Sequence, residues 1–180
     1  MNKKLIFVIL LFIPFFVFAQ TKEEVSLDRC IDGDTAWFNY NDSKYKFRFL
    51  GIDTPEIEDT IEDYGIDASM YTCDRLKKAK KIEIEFDNNS NKKDKYNRYL
   101  VYVFVDENLL QLDILKEGLG DIKYLKDNYK YYDDFVYFND YAIVNKKGIY
   151  SLKKYKIDSF NRLIITIRFY IIKFLRDIFI

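Results

Sequence analysis

Two strand-like runs, Asp34 to Tyr40 and Lys44 to Ile52, flank Asn41-Asp42-Ser43, a cluster of turn residues that reads as a hairpin turn. A hairpin fixes which side chains can meet. A turn centred on Asp42 pairs residues whose numbers sum to about 84. That sets Asp34 across from Leu50 and Arg48 across from Ala36, so Asp34 and Arg48 share a face. Pro55 cannot continue a ladder, so Asp53-Thr54-Pro55-Glu56 leaves the second strand at the end where Asp34 enters the first. Asp34, Asp53 and Glu56 therefore gather at one rim of a sheet beside an arginine. Like charges held together are costly unless a cation joins them.

Around this hairpin the chain reads as short strands with interposed helices. Strands are expected over Val25 to Asp32, over Ile82 to Phe86, where alternation is strict, and over Arg98 to Val105. Helices are expected over Ile66 to Lys80, with Ala68, Thr72, Leu76 and Ala79 on one face, over Leu109 to Lys116, ended by Gly118, and over Tyr129 to Val144. Ile57 to Asp63 and Asn88 to Asn97 read as loops. Five short strands with about three packed helices make an α+β fold around a five-stranded OB-type barrel.

Composition removes most enzyme chemistry. The chain of 180 residues has no His and only 2 Cys. That excludes Ser-His-Asp and Cys-His catalysis, His-based proton shuttles and Cys-rich zinc sites. Carboxylates, Arg, Lys, Tyr and a hard ion bound by oxygen, Ca²⁺ or Mg²⁺, are what remain. A metal beside Arg48 with Glu56 free to take a proton suits a phosphodiester. Taken singly, Asp32-Gly33-Asp34 and Asp53-Thr54-Pro55 also read as plain turns.

The ends differ from the middle. Residues 1–19 read as an export signal, with basic Lys3 and Lys4, an apolar run of about 14 residues from Leu5 to Phe18, and small residues ahead of Gln20; an uncleaved anchor is the alternative. Residues 153–180 read as a basic amphipathic helix. Leu163, Ile164, Ile167, Ile171, Phe174, Leu175 and Ile178 lie on one face, and Arg162, Arg168, Lys173 and Arg176 lie opposite. Such a helix docks on its own domain or a partner, or lies on a membrane surface through residues 157–180. The signal carries +2 and the tail +5, and the whole is neutral, so residues 20–152 carry −7. A domain this acidic cannot hold a polyanion by bulk charge; any phosphate site must be local.

The run Cys30-Ile-Asp-Gly-Asp-Thr35 is followed by Phe47-Arg-Phe-Leu-Gly-Ile-Asp-Thr-Pro-Glu56, Tyr64-Gly-Ile-Asp-Ala-Ser69, Asp94-Lys-Tyr-Asn-Arg98 and Glu117-Gly-Leu-Gly120. In their order and spacing these blocks resemble the staphylococcal nuclease (thermonuclease) family over about residues 25–151. The resemblance implies a Ca²⁺-dependent phosphodiesterase acting on DNA and RNA; with the export signal, the chain is expected to be secreted or held at the cell envelope, as a monomer. It gives Asp34, Asp53 and the Thr54 carbonyl to one calcium ion, Arg48 and Arg98 to the phosphate, and Glu56 to general-base work. It sets Lys95 and Tyr96 near the substrate phosphate and Tyr124 against a nucleotide. A non-catalytic OB module that binds nucleic acid or protein is the alternative. Three departures stand out: Asn97 replaces the family's glycine in the turn before Arg98, Lys126 replaces a second aromatic, and the loop after Glu56 is acidic (Glu58, Asp59, Glu62, Asp63) where well-known members are basic. Cys30 and Cys73 could pair or stay free.

Overall fold

The computed structural model describes residues 22–58, 60–152 and 157–179; the export-signal reading of residues 1–19 and the start of the basic tail at 153–156 lie outside them. Strands β1 (Glu23–Cys30), β2 (Thr35–Tyr40) and β3 (Ser43–Phe49) form an antiparallel meander. β1 also pairs with β5 (Ile82–Glu85), and β5 with β6 (Tyr99–Val105). A parallel pairing of β6 with β3 closes the five strands into a barrel. β7 (Asn108–Leu109) extends β6, while β4 (Ile52–Asp53) pairs with β8 (Asp121–Ile122) outside the barrel. Helices α1 (Gly65–Lys78), α2 (Leu110–Lys116), α3 (Tyr132–Val144) and α4 (Ser159–Phe179) complete the chain. The expected α+β barrel is therefore present, with one helix more than the three expected to pack on it.

The hairpin register is one residue tighter than a turn centred on Asp42 gives. Tyr40 pairs with Ser43, Thr35 with Arg48 and Ala36 with Phe47. Asn41 and Asp42 both adopt positive φ, 49° and 58°, so the loop is a two-residue turn whose twist matches the strands. Asp34 and Arg48 meet nonetheless. Asp34 sits just ahead of β2, in the turn from Ile31, where strict strand alternation no longer dictates its direction.

The barrel interior is filled by Phe38, Phe47, Phe49, Ile84, Val101 and Val103. β6 is buried through Val101–Val105, because α2 covers the face that the barrel does not. Gln111 of α2 reaches into that layer. It accepts from the Val103 N–H and donates to the Val101 carbonyl, both at 3.0 Å, and so satisfies two backbone groups of β6. Ala68, Thr72 and Leu76 form the buried face of α1, as their spacing predicts. The helix ends two residues early, since the Lys80 and Lys81 N–H groups donate to Asp106 Oδ1 instead. Ile82 and Ile84 face inward as alternation requires. Glu85 is buried as well, tied to Lys130 and to the Tyr131 hydroxyl at 2.7 Å.

Cys30 and Cys73 form a disulfide that ties the end of β1 to α1. The same contact surface is secured by the Thr72 hydroxyl, which donates to the Gly33 carbonyl at 2.7 Å. A side chain on Gly33 would meet Thr54 and Ala68 within 3 Å, so the turn holding Asp32 and Asp34 lies flat against α1.

α4 docks on its own domain, but through the side opposite to its apolar stripe. Asp158 caps it, accepting from the Phe160 and Asn161 N–H groups at 3.1 and 3.0 Å. Arg168 makes two 2.6 Å bonds to the buried carboxylate of Asp140 on α3. Arg176 pairs with Asp134 at 2.5 Å and lies over the Tyr137 ring. Phe169 stacks on Tyr137, centroids 5.3 Å apart. Phe160, Leu163, Ile164, Ile167, Tyr170, Ile171, Phe174, Leu175 and Ile178 are left 45–70 % exposed. Among the described residues no helix is long and apolar enough to cross a membrane.

Candidate active site

A cleft of about 550 Å³ opens where β3 and β4 meet the loops before β6 and after β8. Seven of the nine site residues expected from sequence line it: Arg48, Asp53, Glu56, Lys95, Tyr96, Arg98 and Tyr124. Asp34 and Thr54 lie in the layer behind Arg48 and are buried.

Asp34 is held from several directions. Its Oδ2 accepts the Thr54 N–H at 2.8 Å and the Thr54 hydroxyl at 3.2 Å, and its Oδ1 accepts the Thr35 hydroxyl at 3.0 Å. Asp32 Oδ1 accepts the Asp34 N–H at 3.0 Å, an Asx turn that shapes the approach to β2. Burial pushes the Asp34 carboxyl up to about 7; Arg48 opposes that rise, and the nearby charge of Asp32 adds to it.

Arg48 spans the two aspartates. Its guanidinium is 2.7 Å from Asp34 Oδ2 and 2.5 Å from Asp53 Oδ1. Two carboxylates thus share one arginine, and Glu56 lines the same cleft within electrostatic reach of Asp53 and Arg48. Among the described residues no group of three or more acidic or cysteine side chains converges as metal ligands. The donors still suit a hard cation. Asp34 and Asp53 already gather one positive group between them, both offer oxygen, and neither His nor Cys competes.

Glu56 is exposed at the cleft edge. Partial burial raises its pKa, with Asp32 and Asp53 adding to the rise and Arg48 opposing it. Its backbone is fixed by the acidic loop itself: the Glu56 N–H donates to Glu62 Oε2, and the Glu62 N–H donates to the Glu56 carbonyl, each at 3.0 Å. At least Glu62 of that loop is thus used to hold Glu56 in place.

Across the cleft, Arg98 is aimed by Asp94. Asp94 Oδ2 accepts from Arg98 Nε at 2.7 Å, and Oδ1 accepts the Tyr96 and Arg98 N–H groups at 2.9 and 3.0 Å. Burial alone would raise the Asp94 pKa, but these donors outweigh it and hold the carboxyl below its usual range. Asn97 takes φ 63°, so the turn survives without glycine, as its tolerance of the left-handed region predicts. Lys95 and Arg98 lie over Tyr96, at 4.9 and 5.3 Å from the ring centre. Tyr124 is 81 % exposed at the rim, with Lys123 Nζ 5.8 Å from its ring centre. Lys126 lies over Tyr129 at 5.9 Å from its ring centre.

Four residues add to the set read from sequence. Lys93 and Lys123 line the cleft, Lys123 lying 3.7 Å from Asp53. Asp94 positions Arg98, and its signal was present in the sequence as an aspartate four residues before an arginine across a tight turn. Asp121 pairs with Asp53 in the β4–β8 ladder, a contact that only the folded chain reveals. The cleft lining holds five cations (Arg48, Lys93, Lys95, Arg98, Lys123) and three acids (Asp53, Glu56, Asp94), a positive recess in an acidic domain.

Comparison with known proteins agrees with this arrangement. Residues 46–152 match the family described as staphylococcal nuclease homologue. The chain is 39 % identical over 139 residues to the SPbeta prophage-derived endonuclease YokF of Bacillus subtilis, covering 75 % of this chain and 46 % of that protein. It is 40 % identical over 135 residues to the endonuclease YncB of the same organism, covering 73 % and 63 %. It is 33 % identical over 126 residues to the thermonuclease of Staphylococcus hyicus, covering 68 % and 73 %. The chain thus spans about half to two thirds of the length of the two Bacillus relatives. Barrel, cleft and relatives together make this chain a member of the staphylococcal nuclease homologue family.

Proposed function

We propose that this protein is a Ca²⁺-dependent nuclease that hydrolyses phosphodiester bonds of DNA and RNA. The observation that carries the reading is the pair of arginines, Arg48 and Arg98, facing one cleft from separately braced positions with Glu56 between their elements. Arg48 and Arg98 bind the phosphate and neutralise the charge that grows on its oxygens during attack. Glu56, ionised, accepts the proton of the attacking water. Lys95 and Lys93 hold neighbouring phosphates, and Tyr96 and Tyr124 offer ring faces to unstacked bases, which favours single-stranded or frayed substrate. Asp34, Asp53 and the Thr54 carbonyl would hold the calcium ion, which supplies further positive charge beside the phosphate. The acidic exterior leaves binding to the cleft's own cations.

Export is the second part of the proposal. The apolar run Leu5 to Phe18 supports it, as does the Cys30–Cys73 disulfide, since such bonds persist mainly outside reducing compartments. The chain then works in the medium or at the envelope, as a monomer.

The deciding measurement is cleavage of single-stranded DNA and RNA with Ca²⁺ and with chelator. Strong calcium-dependent cleavage is expected. Equal background rates in both, with retained nucleic-acid binding, would instead make the chain a non-catalytic OB module.

A further inference from the structure

The outward face of α4 has no place in that chemistry. No residue of α3 or α4 lines the cleft, so whatever covers this face leaves the cleft open. The stripe from Phe160 to Ile178 runs about 27 Å along the helix. Its nine large side chains, each about half open, present on the order of 900 Å² of apolar surface, beyond what a monomer ordinarily leaves uncovered.

We propose that α4 docks this protein on a lipid surface carrying anionic headgroups. An amphipathic helix folded against its own domain normally turns its apolar side inward; here that side is turned out, and the helix is fastened from behind by Arg168–Asp140 and Arg176–Asp134. That fastening also neutralises two carboxylates of an acidic domain at the place where it would approach a negative surface. Arg162 and Lys173 take no part in it, and Lys153, Lys154 and Lys156 directly precede the helix. On α4 itself the only acid is Asp177, and Asp158 ahead of it is occupied as the cap. Over residues 153–180 the basic residues outnumber the acids seven to two, a net positive segment complementary to anionic lipid. A second copy would bring the same net positive segment against itself, which disfavours self-association through this face.

The test is co-sedimentation of the full chain with vesicles of phosphatidylcholine alone and with about one third phosphatidylglycerol, beside the double variant Ile167→Asp/Ile171→Asp. Both positions face solvent, so folding, checked by circular dichroism and melting, is expected to be unchanged. Binding is expected on the anionic vesicles, weakened by added salt, and reduced about tenfold or more in the variant. Undiminished binding by the variant overturns the proposal and assigns attachment to another segment, residues 1–19 included. Equal binding to neutral vesicles overturns the role of the segment's basic residues. Absence of vesicle binding, with a dimer in sedimentation equilibrium that the variant abolishes, overturns it in favour of a second copy. None of these readings depends on cleavage of nucleic acid, so they stand apart from the nuclease assay.

Discussion

The cleft and the α4 docking site are built from the same pair of residue types, arginine against aspartate, and use them in opposite ways. In the cleft, Asp34 and Asp53 hold Arg48, and Asp94 holds Arg98, yet both arginines line an open recess. Their partners position them for a third charge. On α3, Asp140 is fully buried and receives both arms of Arg168, so that guanidinium's hydrogen-bonding fork is already filled. An arginine braced through Nε, as Arg98 is, keeps its terminal nitrogens available; one bonded through Nε and Nη2 together to a single carboxylate is a clamp. Geometry at the fork separates Arg98 from Arg168; Arg48, whose terminal nitrogens already meet Asp34 and Asp53, differs from Arg168 in lining the cleft.

Removing the braced arginines tests this difference most severely. Arg98→Ala and Glu56→Gln are each expected to lower the cleavage rate by about 10²- to 10⁴-fold, while melting shifts little. Arg168→Ala should leave the rate within about twofold. Steady-state rates on single-stranded DNA, with melting curves for each variant, check both sides. Near-normal cleavage by Arg98→Ala would mean that its bracing by Asp94 serves the turn alone.

The disulfide comes next. It belongs to the cleft side, because it pins the turn of Asp32 and Asp34 to α1. Joining residues 43 apart, it is expected to contribute about 3–4 kcal/mol through the unfolded chain. Cys30→Ser/Cys73→Ser should therefore melt roughly 10 °C lower. If the bond does no more than this, the surviving folded protein keeps the proposed calcium requirement unchanged; an increased requirement would show that it also shapes the carboxylate turn. Titration of activity with Ca²⁺ at a temperature where both proteins are folded separates the two.

A smaller loss is expected at the clamp. Asp140→Ala strands an arginine that is 46 % exposed and free to turn to water, so the cost is about 1–2 kcal/mol, below that of a fully buried pair. The loss should be confined to α4, seen as faster amide exchange in residues 159–179 with cleavage unchanged. Slowed cleavage would mean that α4 supports the cleft after all.

Local chemistry made much of this legible in advance. The hairpin, the buried face of α1 and the glycine that ends α2 follow from turn chemistry and periodicity over a few residues. Six cleft residues lie in the motif blocks, and Tyr124 followed from the family resemblance alone. What escaped depends on long-range closure. The parallel β3–β6 pairing, the β4–β8 ladder that sets Asp121 opposite Asp53, and the meeting of Cys30 with Cys73 join residues far apart in sequence. The hairpin register was missed by one residue because two positive-φ residues make a tighter turn than a centre on Asp42 allows. α4 is the sharpest case. Its period revealed an apolar and a basic face, but only the buried Asp140 and the rings of α3 decide which one turns inward.

The smallest effect falls on Lys123, the cleft cation that sequence reading passed over. It is half exposed and 3.7 Å from Asp53, a separation that holds it weakly and leaves its charge for substrate. A contact of this kind acts on binding and not on the reacting group. Lys123→Ala should raise KM by about two- to fivefold with kcat unchanged, and reduce the slope of log KM against log salt by about 0.7, the signature of one lost contact to single-stranded phosphate. Lys173→Ala, which removes an exposed cation from the α4 side, should change neither quantity. Salt titrations of the two variants set one charge in the cleft against one on the docking helix, and equal slopes would show that substrate is gathered by the protein's overall field and not by the cleft.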